Sequence, residues 1–171
     1  PENVGRWSAV GYYFARKLAA QLDVPVGIIG CNWGGTSASC WMSREALEND
    51  KVISSYVEEY DAIVAEQDFD AYCKEREEYI VYQAEFDKNC KHYYETTPNP
   101  TWEGALEVCG ENKYPGPMGP RSEYRPAGLY ETMIQRIAPY TLAGFLYYQG
   151  EEDDKKPRSY YNLLTRLIRQ W

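Results

Sequence analysis

Residues 51–94 contain neither glycine nor proline and are dense in Glu, Lys, Tyr and Ala. Because the usual helix breakers are missing, this stretch predicts long helices. We interpret residues 44–95 as a paired helical insertion. Its tyrosines suit a seam between helices, where a ring packs and its hydroxyl finds a partner, or a surface that stacks on sugars. These tyrosines are Tyr56, Tyr60, Tyr72, Tyr79, Tyr82, Tyr93 and Tyr94.

Two apolar runs outside the insertion end in glycine and polar residues. Residues 24–29 lead into Gly-Cys-Asn-Trp-Gly-Gly-Thr at 30–36, and residues 142–148 lead into Gln-Gly-Glu at 149–151. Short apolar runs bounded by such turns are typical of buried strands. The first run follows residues 8–22, whose apolar residues recur at helical spacing, and this order is half of a βαβ unit. The sequence therefore predicts an α/β domain with a site at the carboxyl edge of a parallel sheet.

The remaining elements are predicted from caps, breakers and periodicity. Ser43 is a suitable N-cap for a short helix over residues 44–47. Repeated prolines and glycines predict a long loop over residues 96–126. A short helix over residues 128–137 and an amphipathic helix over residues 159–171 follow. The length of the chain fits one domain over residues 1–171.

The composition argues against several classes of function. The formal net charge is −8, from 18 basic and 26 acidic residues, and this disfavours nucleic acid and anionic membranes, which both select a basic face. No apolar run approaches the roughly 20 residues of a membrane span. The five cysteines include no Cys-x-x-Cys pair, which argues against a closed zinc site and slightly favours reduced thiols in the cytoplasm. The oligomeric state is left open.

Candidate chemistry lies at the two glycine-containing turns. Gly34 and Gly35 present backbone N–H groups with no side chain in the way, as an oxyanion hole requires, although a simple tight turn explains them equally. Gln149 carries a side-chain amide that can supply a second donor. The acidic run over residues 151–154, which begins with Glu151, fits a hydrated helix entry better than a site for a hard cation. We therefore predict no metal site.

An ordered set of motifs resembles the sialate O-acetylesterase family, a carbohydrate-esterase branch of the SGNH hydrolases. The motifs are Ser-Ala-Val-Gly-Tyr-Tyr-Phe at residues 8–14, Trp-Gly-Gly-Thr at 33–36 with Trp41, Arg-Pro-Ala-Gly-Leu-Tyr at 125–130, Ile-Ala-Pro-Tyr at 137–140, and Tyr-Tyr-Gln-Gly-Glu at 147–151 with Tyr-Tyr at 160–161. Two of them, at 125–130 and 137–140, resemble its bacterial members. The resemblance covers most of the chain outside the helical insertion, and it rests on the order of the motifs.

The resemblance implies a flavodoxin-like three-layer α/β/α fold and serine acyl transfer that removes acetyl groups from sugars. It implies that this reaction needs neither a metal nor an organic cofactor. It implies oxyanion-hole roles for Gly34 or Gly35 and for Gln149, with Glu151 beside them. The residues assigned to the acetylated carbohydrate substrate are Trp33, Thr36, Trp41 and Arg125. The family's Gly-Gln-Ser-Asn and Asp-x-x-His motifs, which carry its nucleophile and base, do not occur in this sequence. We therefore interpret the chain as a central fragment of such an esterase, inactive by itself.

Two other functions stay open at this point. A non-catalytic carbohydrate-binding module would use the rings of the tyrosine-rich insertion. A cysteine hydrolase would use Cys31 as its nucleophile and His92, the one histidine of the chain, as its base. His92 lies between Lys91 and Tyr93 on a predicted helix, and the simpler interpretation is a surface histidine.

Overall fold

The computed structural model describes Gly5 and residues 7–171, and this part of the chain is helical without any strand. Two 3₁₀ helices and one π-helix accompany the α-helices; they are Ala38–Trp41, Glu151–Lys155 and Tyr130–Ile134. The α-helices are α1 (Ala9–Leu22), α2 (Arg44–Glu48), α3 (Ser55–Ala65), α4 (Phe69–Thr96), α5 (Trp102–Cys109), α6 (Gln135–Ile137) and α7 (Pro157–Gln170).

The predicted three-layer α/β/α fold is wrong for the described structure. Residues 24–29 and 142–148 form no strand, and no backbone hydrogen bond between described residues joins the two segments. Their apolar side chains stay accessible, with Ile29 at 44% and Leu146 at 54% exposure. A buried parallel strand needs a hydrogen-bonded neighbour and helices on both faces. The two apolar runs have neither, and their hydrophobicity alone does not make a sheet.

The helices predicted from periodicity and caps are confirmed. Helix α1 starts after Ser8, whose hydroxyl accepts a hydrogen bond from the Gly11 N–H at 3.3 Å, and it ends at Asp23, which is left-handed with φ of 52°. Ser43 caps α2 by accepting from the Ala46 N–H at 3.1 Å. The stretch without glycine or proline forms α3 and the long α4. Local signals of this kind indicate where a helix begins and ends.

The predicted loop over residues 96–126 contains a helix that the sequence prediction missed. Helix α5 begins after Thr101, whose hydroxyl accepts from the Gly104 N–H at 3.1 Å, and it ends at Gly110. It packs on α4 around a small core of Phe86, Cys90 and Ala105. Long α4 therefore pairs with α5. The error arose because frequent prolines and glycines flank this helix and hide its short apolar face.

The main core is separate from the small core between α4 and α5. It forms where α7 packs against α2 and the first 3₁₀ helix. Its members share near-complete burial and apolar or thiol side chains. They are Ala38, Cys40, Trp41, Met42, Leu47, Ile53, Val57, Leu129, Leu163 and Leu167. Trp171 donates its Nε1–H to the Trp41 carbonyl at 3.1 Å and so fastens the end of α7 to this core. The core thus includes residues from the segment 38–42, which follows the Trp-Gly-Gly-Thr motif at 33–36.

We expect Tyr72→Phe to lower the free energy of unfolding by about 1–2 kcal/mol. Tyr72 is 1% exposed, and its hydroxyl accepts the Arg121 N–H at 3.1 Å. The substitution keeps the ring and leaves that backbone donor without its partner. The control is Tyr94→Phe, because Tyr94 is 43% exposed on the same helix α4. Equal denaturant midpoints for the two variants would contradict this account of the Tyr72 hydroxyl.

Candidate functional site

The glycine turn, residues 33–36, is held from several sides. Gly35 has φ of 68°, in the left-handed region that favours glycine. The Thr36 hydroxyl donates to the Trp33 carbonyl at 2.8 Å and accepts from the Trp41 indole N–H at 2.9 Å. Tyr114 donates its hydroxyl to the Gly35 carbonyl at 3.0 Å. The backbone N–H groups of Gly34 and Gly35 have no acceptor within the described part of the chain.

A cleft of about 260 Å³ opens beside this turn. Its lining joins the two motifs that sequence reasoning singled out, although they lie far apart in the chain. The lining residues are Trp33, Gly34, Gly35, Thr36, Tyr148, Gln149, Glu151 and Glu152. The closest link between the motifs is the Gln149 side-chain amide, whose Nε2 lies 3.1 Å from the Thr36 carbonyl oxygen. The cleft is therefore the strongest candidate for a functional site.

Asp153 links Gln149 to Ser37 and Ala38, the two residues that follow the glycine turn. It is 2% exposed, and its carboxylate accepts from the Ser37 hydroxyl at 2.6 Å and from the Ala38 N–H at 2.9 Å. It also accepts from Gln149 Nε2 at 2.6 Å and from the Tyr56 hydroxyl at 3.2 Å. No basic side chain pairs with it among the described residues. Such a carboxylate is tolerated in an interior only because its donors replace water.

The sequence prediction missed Asp153 because it lies in an acidic run, which indicates a hydrated surface. The residues around it behave as predicted: Glu151 and Asp154 are exposed. The 3₁₀ helix Glu151–Lys155 turns only the third acid of the run inward. Its partners Ser37 and Ala38 lie 116 and 115 positions away in the sequence. No local pattern could therefore have identified it.

Gln149 has every polar atom of its side chain engaged. One amide hydrogen goes to the Thr36 carbonyl and the other to Asp153, while the side-chain oxygen accepts from the Tyr147 hydroxyl at 2.6 Å. Burial, followed by the neighbouring Tyr160, raises the pKa of Tyr147, which keeps its hydroxyl a donor. Tyr160 itself donates to the Gln149 backbone carbonyl at 2.9 Å. The amide is thus oriented with its nitrogen toward the glycine turn.

Trp41 and Arg125, which were predicted to bind the substrate, do not line the cleft. Trp41 is 6% exposed in the main core and reaches the turn only through its hydrogen bond to Thr36. Arg125 donates to the carbonyls of Pro120 and Pro126 and pairs with Glu131. Trp41 therefore stabilises the turn, and Arg125 stabilises the loop in which it lies.

The geometry offers no support for a cysteine nucleophile. Burial raises the pKa of the Cys31 thiol, whereas an activated thiol needs a lowered one. Cys31 packs against the main core, while His92 lies exposed on α4. His92 lines a separate cleft of about 310 Å³ with Asn89, Tyr93, Thr96, Thr97 and Val108. None of the residues around the glycine turn takes part in that second cleft.

None of the helices in the described part of the chain combines the length and the hydrophobicity that crossing a bilayer requires. Within Gly5 and residues 7–171, no group of three or more His, Cys, Asp or Glu side chains is arranged to hold a metal ion.

We expect Gly35→Ala to destabilise the chain by about 2–3 kcal/mol, from a left-handed alanine and a lost hydrogen bond. A Cβ at Gly35 would lie 1.7 Å from the Tyr114 hydroxyl oxygen, so the ring must also move. The matched control is Gly34→Ala, because a Cβ there meets nothing within 4 Å. Thermal unfolding of both variants checks this. A Gly34→Ala variant that loses as much stability as Gly35→Ala would refute the described turn.

Comparison with known proteins points in one direction. The sequence is similar to sialate O-acetylesterase of Mus musculus, with 26% identity over 165 residues that make up 96% of this chain. It is also similar to sialate O-acetylesterase of Rattus norvegicus, with 44% identity over 41 residues, or 24% of this chain. No protein-family model and no solved structure matches the sequence. These findings support a distant relationship to sialate O-acetylesterase.

The chain spans about a quarter of the mouse relative, since the match covers 25% of that protein, and 8% of the rat one. Both relatives are mammalian, so the likeness to bacterial members noted from the motifs has no counterpart among them. The names of these relatives describe a hydrolase that acts on an acetylated carbohydrate.

Proposed function

We propose that the cleft beside the glycine turn is the oxyanion side of a carbohydrate O-acetylesterase that works by serine acyl transfer. One observation carries the proposal: the turn at Gly34 and Gly35 and the amide of Gln149, two motifs distant in sequence, line one cleft, where this amide donates to the carbonyl at the end of the turn. The distant similarity to sialate O-acetylesterase supports the same chemistry. The sugar would rest against Trp33 and the acetyl group would enter beside the glycines.

In this proposal the backbone N–H groups of Gly34 and Gly35 stabilise the oxygen of the acetyl carbonyl as it becomes negative. Both donors lack an acceptor within the described structure, and both glycines are exposed to solvent. Donors held by a rigid turn need no reorganisation when charge develops, which is the main source of catalysis in such sites. Thr36 and Trp41 would serve this step indirectly, by fixing the turn.

Gln149 can join the oxyanion only by exchanging one hydrogen-bond acceptor for another. Its bond to the Thr36 carbonyl, at 3.1 Å, is longer than its bond to Asp153, at 2.6 Å. A charged oxygen is a stronger acceptor than a neutral carbonyl. We infer that the oxyanion would take the place of the Thr36 carbonyl, while Asp153 holds the other amide hydrogen and keeps the nitrogen oriented. Asp153 is then a positioning residue.

Acyl transfer also requires a nucleophile and a base, which this chain does not carry in the family's pattern. The proposal assigns both to residues outside these 171, and it assigns none of the chemistry to Cys31 or His92. The chain would contribute the hydrogen-bond donors that stabilise the oxyanion and the surface that contacts the sugar.

The test compares this chain with a full-length protein that contains it, using release of acetate from an O-acetylated methyl glycoside. We expect acetate release above the uncatalysed rate from the full-length protein and none from residues 1–171 alone. A full-length protein that releases no acetate from any O-acetylated sugar would refute the esterase proposal. Acetate release by the short chain, abolished in Cys31→Ala, would favour the cysteine hydrolase instead.

A further inference from the structure

Two free cysteines, Cys90 and Cys109, lie where α4 packs on α5. Cys90 is 8% exposed in the small core with Phe86 and Ala105, and Cys109 packs against the same core while staying partly accessible. Phe86 and Cys90 are one helical turn apart on α4, and Ala105 and Cys109 are one turn apart on α5. Each cysteine therefore lies on the face of its helix that meets the other helix.

Two contacts between the helices bracket this pair of cysteines. Tyr82 donates its hydroxyl to the Glu111 carbonyl at 2.7 Å. Tyr93 lies against Gly104, where a Cβ would come within 2.3 Å of the Tyr93 hydroxyl oxygen. The order of these contacts makes the two helices antiparallel and places each cysteine between the two contacts on its own side. Because Gly104 has no side chain, the helices can approach closely, as a covalent bond between them requires.

The two thiols differ in their access to solvent. Burial, and after it the hydrogen bond with the Cys109 side chain, raises the pKa of the Cys90 thiol to about 11. A buried thiol of this kind stays protonated at neutral pH and reacts slowly with reagents from solvent. Cys109 is partly accessible, so a reagent reaches Cys109 first and Cys90 only through it.

We propose that Cys90 and Cys109 form a disulfide bond that fastens α5 to α4 when a low-molecular-weight disulfide such as oxidised glutathione is in excess. The Cys109 thiolate attacks one sulfur of the glutathione disulfide, forms a mixed disulfide and releases one glutathione thiolate. The Cys90 sulfur then attacks the Cys109 sulfur, which breaks the mixed disulfide and releases the second glutathione thiolate. The protons of the two cysteines end on the two released glutathiones. Two cysteines are thus oxidised while one glutathione disulfide is reduced to two thiols.

The bond would close a loop over residues 90–109, which contains the whole of α5. This helix has only 8 residues and packs on α4 through the small core. A helix of this length is marginal by itself, so in the reduced chain α5 opens by local unfolding. The disulfide restricts this opening because it holds the ends of the loop together. We expect the backbone amides of α5 to exchange with deuterium at least about tenfold more slowly in the oxidised chain than in the reduced chain.

The test incubates the 171-residue chain with oxidised glutathione under native conditions, blocks the remaining thiols with N-ethylmaleimide, and maps tryptic peptides without reductant. Lys91 lies between the two cysteines, so trypsin separates residues 89–91 from residues 92–113. A disulfide between Cys90 and Cys109 holds these two peptides together. We expect the linked pair from most molecules, and slowed exchange of the α5 amides in the same sample.

Cys73→Ser is the matched control, because Cys73 lies on the same helix α4 but about 25 Å from Cys90 along the helix axis. It should leave both the linked peptides and the slowed exchange unchanged. Cys109→Ser, which alters a partly accessible side chain, and Cys90→Ser should each abolish both. A wild-type chain that keeps Cys90 and Cys109 unlinked in excess oxidised glutathione, or that stops at glutathione bound to Cys109, would overturn the proposal. Unchanged exchange of α5 in the linked chain would show that the bond does not fasten the helix.

Discussion

We expect Asp153→Ala to be the most destabilising single substitution at the site, with a loss of about 3–5 kcal/mol. Asp153 is 2% exposed. Its carboxylate accepts hydrogen bonds from Ser37, Ala38, Gln149 and Tyr56. Truncation leaves these donors in a buried position without an acceptor. The melting temperature should fall by about 6–20 °C, because each kcal/mol corresponds to about 2–4 °C in a chain of this size.

The matched control for this prediction is Asp154→Ala. Asp154 is the next residue of the same 3₁₀ helix and is exposed, so its loss should change the stability by no more than about 0.5 kcal/mol. The loss of stability in Asp153→Asn should lie between those of the two alanine variants. Asparagine keeps the volume of the side chain, but its NH₂ group faces hydrogen-bond donors where the carboxylate offered an acceptor. A stability of Asp153→Ala equal to that of Asp154→Ala would show that the buried network does not form.

The second large effect concerns activity of the full-length protein. We expect Gln149→Ala to lower kcat by about a hundredfold to a thousandfold, the usual cost of one oxyanion-hole donor, with a much smaller change in KM. The reason is that the oxygen becomes negative only in the transition state, so the amide would stabilise that state more than the bound substrate. Steady-state kinetics on an O-acetylated glycoside measure both constants.

A purely structural role for Gln149 makes a different prediction. Its bonds to the Thr36 carbonyl and to Asp153 would then only fix the turn, and their loss would lower the melting temperature with a mild effect on kcat. Tyr147→Phe is a useful control, because it removes the donor to the Gln149 side-chain oxygen and leaves both amide hydrogens in place. Near-normal kcat in Gln149→Ala together with a lower melting point would assign Gln149 to structure.

Local sequence signals predicted the helices well. The stretch without glycine or proline forms α3 and α4, the periodic apolar residues of 8–22 form α1, and the predicted cap at Ser43 begins α2. These signals succeed because a helix satisfies its backbone hydrogen bonds within itself. Helix α5 was missed although Thr101 caps it in the same way. There the surrounding breakers outweighed a cap that was visible in the sequence.

The strands failed because a strand is not a local structure. Residues 24–29 and 142–148 have the right composition, but their backbone groups need neighbouring strands, and the described chain provides no such pairing. The residues of the site divide in the same way, into those that local sequence indicates and those that depend on contacts distant in sequence. The sequence indicated Gly34, Gly35 and Gln149 from their chemistry, whereas the buried position of Asp153 depends on residues more than a hundred positions away, such as Ser37.

Binding of the ester in the cleft beside the glycine turn is measured most directly by a chemical-shift map. In the ¹⁵N-labelled chain, titration with a methyl glucoside that carries one O-acetyl group should give saturable shifts of the Gly34 and Gly35 backbone amides and of the Gln149 side-chain amide. These signals report the donors that the account assigns to the ester. Shifts confined to the second cleft around His92, with those of the glycine turn unmoved, would contradict it.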